Sequence, residues 1–159
     1  MSPGDSLKGE LTIRRGQRDD LPAVVRLLAD DALGATRERS AEPLASEYLA
    51  AFDAMSAQGG NELLVATVED EVVGCLQLTI IPGLSRGGMT RAQVEGVRVH
   101  SSRRGERIGE QLVRDAIDRA RAAGCELVQL TTDASRTGAH QFYERLGFVA
   151  SHVGMKLQL

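Results

Sequence analysis

The stretch Val97 to Gly109 (VRVHSSRRGERIG) constrains this chain more than any other. Alternating apolar residues run into a basic, glycine-containing turn that opens onto a long amphipathic segment. From Ile108 onward, Leu112, Val113, Ala116, Ile117 and Ala120 recur on one helical face, and Gly124 closes the segment. A strand that turns directly into a helix start is an anion site, because the first backbone N–H groups lack intrahelical acceptors and the helix dipole places partial positive charge there. Gly105 and Gly109 let a ligand approach the backbone, and Arg103, Arg104 and Arg107 add formal charge. Arginines are electrostatically misplaced in a first helical turn, so three of them imply an anionic partner; a phosphate or pyrophosphate is the natural guest. The alternative is a solvated helix start with ordinary turn glycines.

The remaining periodicities place this motif in a mixed α/β sheet flanked by helices, in the order β-α-α-β-β-β-α-β-α-β. Residues 10–15 (ELTIRR) read as a first strand. Asp19 or Asp20 offers an N-cap, with Pro22 in the first turn, to a helix carrying Leu21, Val24, Val25, Leu27 and Leu28 and fading near Gly34. Leu44, Tyr48, Ala51, Phe52 and Met55 draw a second helix, ended by Gly59-Gly60. ELLVATV and VVGCLQLTII form a hairpin around Glu69, Asp70 and Glu71. After the loop 82–91, TRAQVEGVRV is a strand to His100, with Gln93, Glu95, Val97 and Val99 on one parity. CELVQLTT predicts a strand, GAHQFYERLG a short helix, and FVASHVGMKLQL a last strand or pair.

Composition narrows the function classes. With 159 residues, 42% of them hydrophobic and 26% charged, the chain is the size of one globular domain, 1–159, and no linker or repeat divides it. It lacks both an apolar run long enough to span a membrane and an N-terminal secretory pattern, so the cytoplasm is the expected compartment. A net charge of −3, no Trp and only five aromatics argue against nucleic-acid binding, although Arg98 to Arg107 carries four Arg and one Glu. Cys75 and Cys125 sit in apolar segments without a CxxC spacing, which predicts reduced, unreactive thiols. His100 and His152 have no ligand partner at helical spacing, and no metal is expected. Neither GxxxxGK[ST] nor GxGxxG is present, which removes the P-loop hydrolases and the dinucleotide-binding fold.

EGVRVHSSRRGERIGEQLV resembles the strand and Arg/Gln-x-x-Gly-x-Gly/Ala loop of the GNAT family of N-acetyltransferases, with the loop at Arg104 to Gly109. One glycine of the family's loop is Arg107 here. A second motif, RTGAHQFYERLGF (136–148), is similar to the family's AxxFYxxxGF helix, with Arg136 where many members carry asparagine. AGCELVQL, RTGAH, FYERLGF and SHVGMK are further similar to aminoalkylphosphonate N-acetyltransferases.

The resemblance implies acetyl-CoA as cosubstrate. Arg104, Gly105, Glu106, Arg107, Ile108 and Gly109 would cradle its pyrophosphate, Arg136 and Tyr143 would contact it, and the backbone of Val97 and Val99 would pair with its pantetheine arm. A backbone N–H near Val97 or Arg98 would serve as a modest oxyanion site. Amine acetylation also needs a base for the ammonium and an acid for the departing thiolate. Glu95 is the candidate base, beside the reading of an ordinary strand carboxylate, and Tyr143 is the candidate acid; Phe142 and Phe148 read as core. The implied activity is direct transfer to a primary amine of a small molecule in a ternary complex. A protein N-acetyltransferase and a non-catalytic acyl-CoA-binding regulatory module are the alternatives, and a homodimer is an assembly common among relatives.

Overall fold

A computed structural model of the chain describes residues 9–159; Met1 to Lys8, read above only for the lack of an apolar leader, lie outside the described residues. Two compact units are present, one ending at Gln129 and the other covering Leu130–Leu159.

The first unit is built on a sheet of order β1-β2-β3-β4-β5, formed by β1 (Leu11–Arg15), β2 (Asn61–Val68), β3 (Glu71–Ile81), β4 (Arg91–Val99) and β5 (Leu127–Leu130). The first four strands pair antiparallel in sequence order. β5 advances alongside β4: the Glu126 N–H donates to the Thr90 carbonyl at 3.0 Å, and the Gln129 side chain donates to Gln93 at 2.8 Å. The β2–β3 hairpin turns on Glu69 and Asp70 alone, whose φ values of 51° and 65° give the doubly left-handed turn that matches strand twist.

Helices cover both faces. α5 (Ile108–Ala122) seats Ile108, Leu112, Val113, Ala116 and Ala120 in the core. Gly74 of β3 admits this helix, since a Cβ there would lie 2.9 Å from Leu112 Cδ1 and 3.1 Å from the Arg98 carbonyl. On the opposite face α1 (Leu21–Ala29) sets Val24 and Leu27 against Val65 and Cys75. The anticipated first helix is broken: α1 stops at Ala29, and a single turn, α2 (Gly34–Arg37), follows. Gly34 is required there, because a Cβ would fall 1.8 Å from the Leu28 carbonyl. Asp20 stands at the N-cap position of α1 without capping it. Its carboxylate instead accepts from Gln17 N–H at 2.7 Å and from both Arg14 Nη atoms at 2.7 and 2.9 Å. α3 (Ser46–Gln58) forms as expected, but its apolar stripe is only half-buried. A short turn, α4 (Ser85–Gly88), occupies the loop between β3 and β4.

In the second unit, α6 (Thr137–Arg145) carries Phe142 and Tyr143 edge to face at 5.0 Å, with Phe148 edge-on to Tyr143 at 5.7 Å. The two phenylalanines are half-buried rather than full core. Residues 149–159 form no strand, contrary to the alternation Val149, Val153, Met155, Leu157. A strand persists only where its N–H and C=O groups find a ladder; without one, these side chains remain between 80% and 92% exposed.

Candidate active site

Gly96 decides the geometry of β4. It takes φ 61°, and the register slips there: Gln77 faces Glu95, whereas Cys75 faces Arg98, so the single residue Leu76 opposes Gly96 and Val97. This is a β-bulge with a left-handed glycine. The expected common parity of Glu95, Val97 and Val99 is therefore wrong, because the bulge inserts one residue and exchanges the faces beyond it. Glu95 and Arg98 share the α1 face, and Val99 turns to the α5 face opposite Gly74. The lone glycine within an apolar strand was the available signal.

The bulge is fastened from the α1 side. Arg98 Nε lies 3.0 Å from Asp31 Oδ2, and its Nη1 donates to the Val97 carbonyl at 2.9 Å. Asp31 Oδ1 accepts from Gly34 N–H at 2.5 Å, and Asp30 accepts from Ser101 N–H at 3.1 Å. Asp30 and Asp31 thus anchor the turn after α1 to Arg98 and Ser101, at and beyond the end of β4. Sequence reading missed them because their partners are about seventy residues away.

Beyond β4, a 3-10 turn (Ser101–Arg103) leads into α5, whose preceding residue Arg107 is left-handed at φ 60°, ψ 20°. Arg107 thus adopts the conformation that glycine favours. Gly105 is also left-handed, at φ 88°. The 15-residue helix α5 starts directly after this turn, at Ile108. Not all of the loop's arginines are free to meet an anion. Arg103 pairs with Glu106 at 3.1 Å, and Arg107 donates from Nε and Nη2 to the two Glu110 oxygens at 3.0 Å each, so two of the three arginines already have acidic partners. Arg107 and Arg114 together hold the Glu110 carboxyl below its usual pKa. Arg104 is exposed and makes no ion pair among the described residues.

Tyr143 and Arg136 belong to the second unit. Tyr143 sits between the two phenylalanine rings, and the Arg136 carbonyl opens α6 by accepting from Ala139 and His140 N–H. Cys75 is buried, and desolvation pushes its thiol up to about 12; burial also raises Cys125, so neither is a ready nucleophile. Among the described residues no group of three or more His, Cys, Asp or Glu could hold a metal ion.

Residues 23–148 match the model of the acetyltransferase (GNAT) family. A glucosamine 6-phosphate N-acetyltransferase of Trypanosoma brucei brucei is 32% identical over 94% of this chain and 97% of its own length. The chain belongs to the GNAT acetyltransferase family. It is an acyltransferase, and the resemblance drawn from its two motifs holds. The aminoalkylphosphonate N-acetyltransferase of Salmonella typhimurium is 38% identical over 52% of this acetyltransferase and 53% of its own length. In three dimensions the GNAT chain is similar to a structure described as a transcriptional regulator from Bacillus halodurans, with 49% identity, TM-score 0.92, and coverage of 94% of this chain and 100% of that one.

Proposed function

We propose that this acetyltransferase moves the acetyl group of acetyl-CoA to the primary amine of a small molecule bearing a phosphoryl or phosphonyl group, by direct attack in a ternary complex in the cytoplasm. The observation that carries the reading is the turn with left-handed Gly105 and Arg107 that opens the 15-residue helix α5, a short 3-10 turn after the bulged β4. That arrangement suits a pyrophosphate on the loop and an extended amide chain along the strand. The acceptor class is supported by two curated relatives whose names share an anionic phosphorus group.

Each residue then has one task. Arg104 to Gly109 binds the coenzyme's pyrophosphate through backbone N–H groups, with Arg104 as the available cation. The Val97 and Val99 backbone pairs with the pantetheine amides, and a neighbouring N–H at Val97 or Arg98 receives charge on the carbonyl oxygen. Glu95 takes a proton from the acceptor's ammonium, the freed amine adds to the thioester carbon, and collapse breaks the C–S bond. Tyr143 gives its phenolic proton to the leaving thiolate and regains one from the NH2+ group of the adduct, directly or through solvent, and Arg136 supports the coenzyme.

The test is calorimetric titration of the full chain with acetyl-CoA, followed by thiol release with glucosamine 6-phosphate and aminoalkylphosphonates. Amine-dependent release that falls by about 10²-fold or more in Glu95→Gln and Tyr143→Phe, with coenzyme affinity retained, is the expected result. The similarity to the Bacillus halodurans protein described as a transcriptional regulator favours one second reading, a non-catalytic acyl-CoA-binding regulator. Binding without release from any amine would establish that reading instead, and absence of acetyl-CoA binding would overturn both.

A further inference from the structure

The α1 face of the sheet is divided. Where α1 covers it, it is apolar, with Val65 and Cys75 fully buried. Farther along the same strands, at the same period of two, it turns to amides and a hydroxyl: Asn61 on β2, Gln77 and Thr79 on β3, Gln93 on β4 and Gln129 on β5, all half-buried. Register places Asn61, Thr79 and Gln93 in one row, and Gln77 and Glu95 in the next. A strip meant for helix packing would be apolar, as its other half is, because half-buried amides must find partners or lose stability.

Some of that hydrogen-bonding capacity is spent within the strip. Gln77 Nε2 donates to Asn61 Oδ1 at 2.9 Å, Thr79 Oγ1 reaches the same oxygen at 3.4 Å, and Gln129 Nε2 donates to Gln93 Oε1 at 2.8 Å. Each glutamine therefore keeps one end: the carbonyl oxygens of Gln77 and Gln129 and the amide nitrogen of Gln93 have no partner among the described residues. Acceptors and a donor side by side are the complement of hydroxyl groups, each of which donates once and accepts as well. Glu95 stands two residues along β4 from Gln93, about 7 Å by strand rise, the scale of one six-membered ring with its substituents.

We infer that this amide strip is the acceptor-binding floor and that it selects a polyhydroxylated, amino-sugar-like primary amine over a plain aminoalkyl compound. The inference deepens the proposed function and rests on it for turnover, but binding can be read without turnover. A site built to hydrogen-bond hydroxyl groups rejects analogues that lack them, since its own polar groups are then left unpaired.

Calorimetry on the full chain saturated with coenzyme A, using glucosamine 6-phosphate and aminoethylphosphonate as probes, tests it. The amino sugar is expected to bind at least tenfold more tightly than the aminoalkyl probe. Gln93→Leu, and independently Gln129→Leu at the sheet edge, are expected to reduce that preference to within about twofold, with melting curves confirming a folded chain. The same preference in kcat/KM extends the result to catalysis. Preference in binding with no thiol release from either probe defeats the transfer reading and leaves the strip assignment standing. Equal affinity for the two probes, binding of neither, or equal loss for both in folded variants overturns the assignment.

Discussion

Asp20 shows how one residue contributes to stability at a place where sequence rules expect a cap. Its carboxylate is 11% exposed and accepts two hydrogen bonds from Arg14 and one from the Gln17 backbone, and the Arg14 contact chiefly holds its pKa below the usual aspartate range. A depressed folded pKa means that the stabilisation is complete above the unfolded value near ~3.9 and is lost as pH falls through the lower, folded one. Asp20→Asn is expected to destabilise the fold by about 2 kcal/mol at neutral pH. Urea melts of both proteins from pH 7 to pH 3 check this, since the difference must shrink as the wild-type carboxylate becomes protonated. Other carboxylates serve comparably: Glu106 and Glu110 hold the arginines that flank the α5 turn, and Arg15 pairs with Glu62 across β1 and β2.

At the scale of the element, β4 is the strand on which the proposed function depends, and its bulge is its defining feature. One left-handed glycine reverses the facing of every residue after it, brings Arg98 to Asp31, and releases Val97 from regular opposition to β3. Gly96→Ala finds space, since its Cβ would lie 3.6 Å from Leu28 Cδ2, an ordinary contact, so the cost is conformational. A left-handed alanine costs about 1–2 kcal/mol, and relief by straightening the strand would return Arg98 to the other face. The expected outcome is a loss of stability of that size in thermal or chemical melts, together with weaker acetyl-CoA binding by calorimetry. Unchanged coenzyme affinity in a destabilised but folded variant would separate the bulge from the coenzyme site. α5, by contrast, was legible throughout from its apolar spacing and closing glycine, because a helix that buries one stripe carries its whole pattern locally.

For the whole molecule, coenzyme binding and folding are linked, since a ligand that binds only the folded chain stabilises it by mass action. Acetyl-CoA at a hundred times its Kd is expected to add about 2.7 kcal/mol, which for a chain of this size raises Tm by roughly 5–10 °C; scanning fluorimetry against a coenzyme-free control reads it. The sequence by itself determined the order of the first five strands and of α1, α3, α5 and α6, the turn that opens α5 and membership in the GNAT family, because these depend on spacings within short segments: the apolar stripe of α5, the two-residue turn at Glu69 and Asp70, and the two motifs around Arg104 and Tyr143. Tertiary structure alone decided which faces the site residues share. The bulge at Gly96 set Glu95 beside Gln77 and Arg98 beside Asp31, Glu106 and Glu110 claimed two of the loop arginines, and register assembled Asn61, Thr79 and Gln93 into one row from three strands. The same division explains the tail: alternation at Val149, Val153, Met155 and Leu157 specifies a strand's side-chain pattern, whereas pairing requires a ladder that no local sequence can supply.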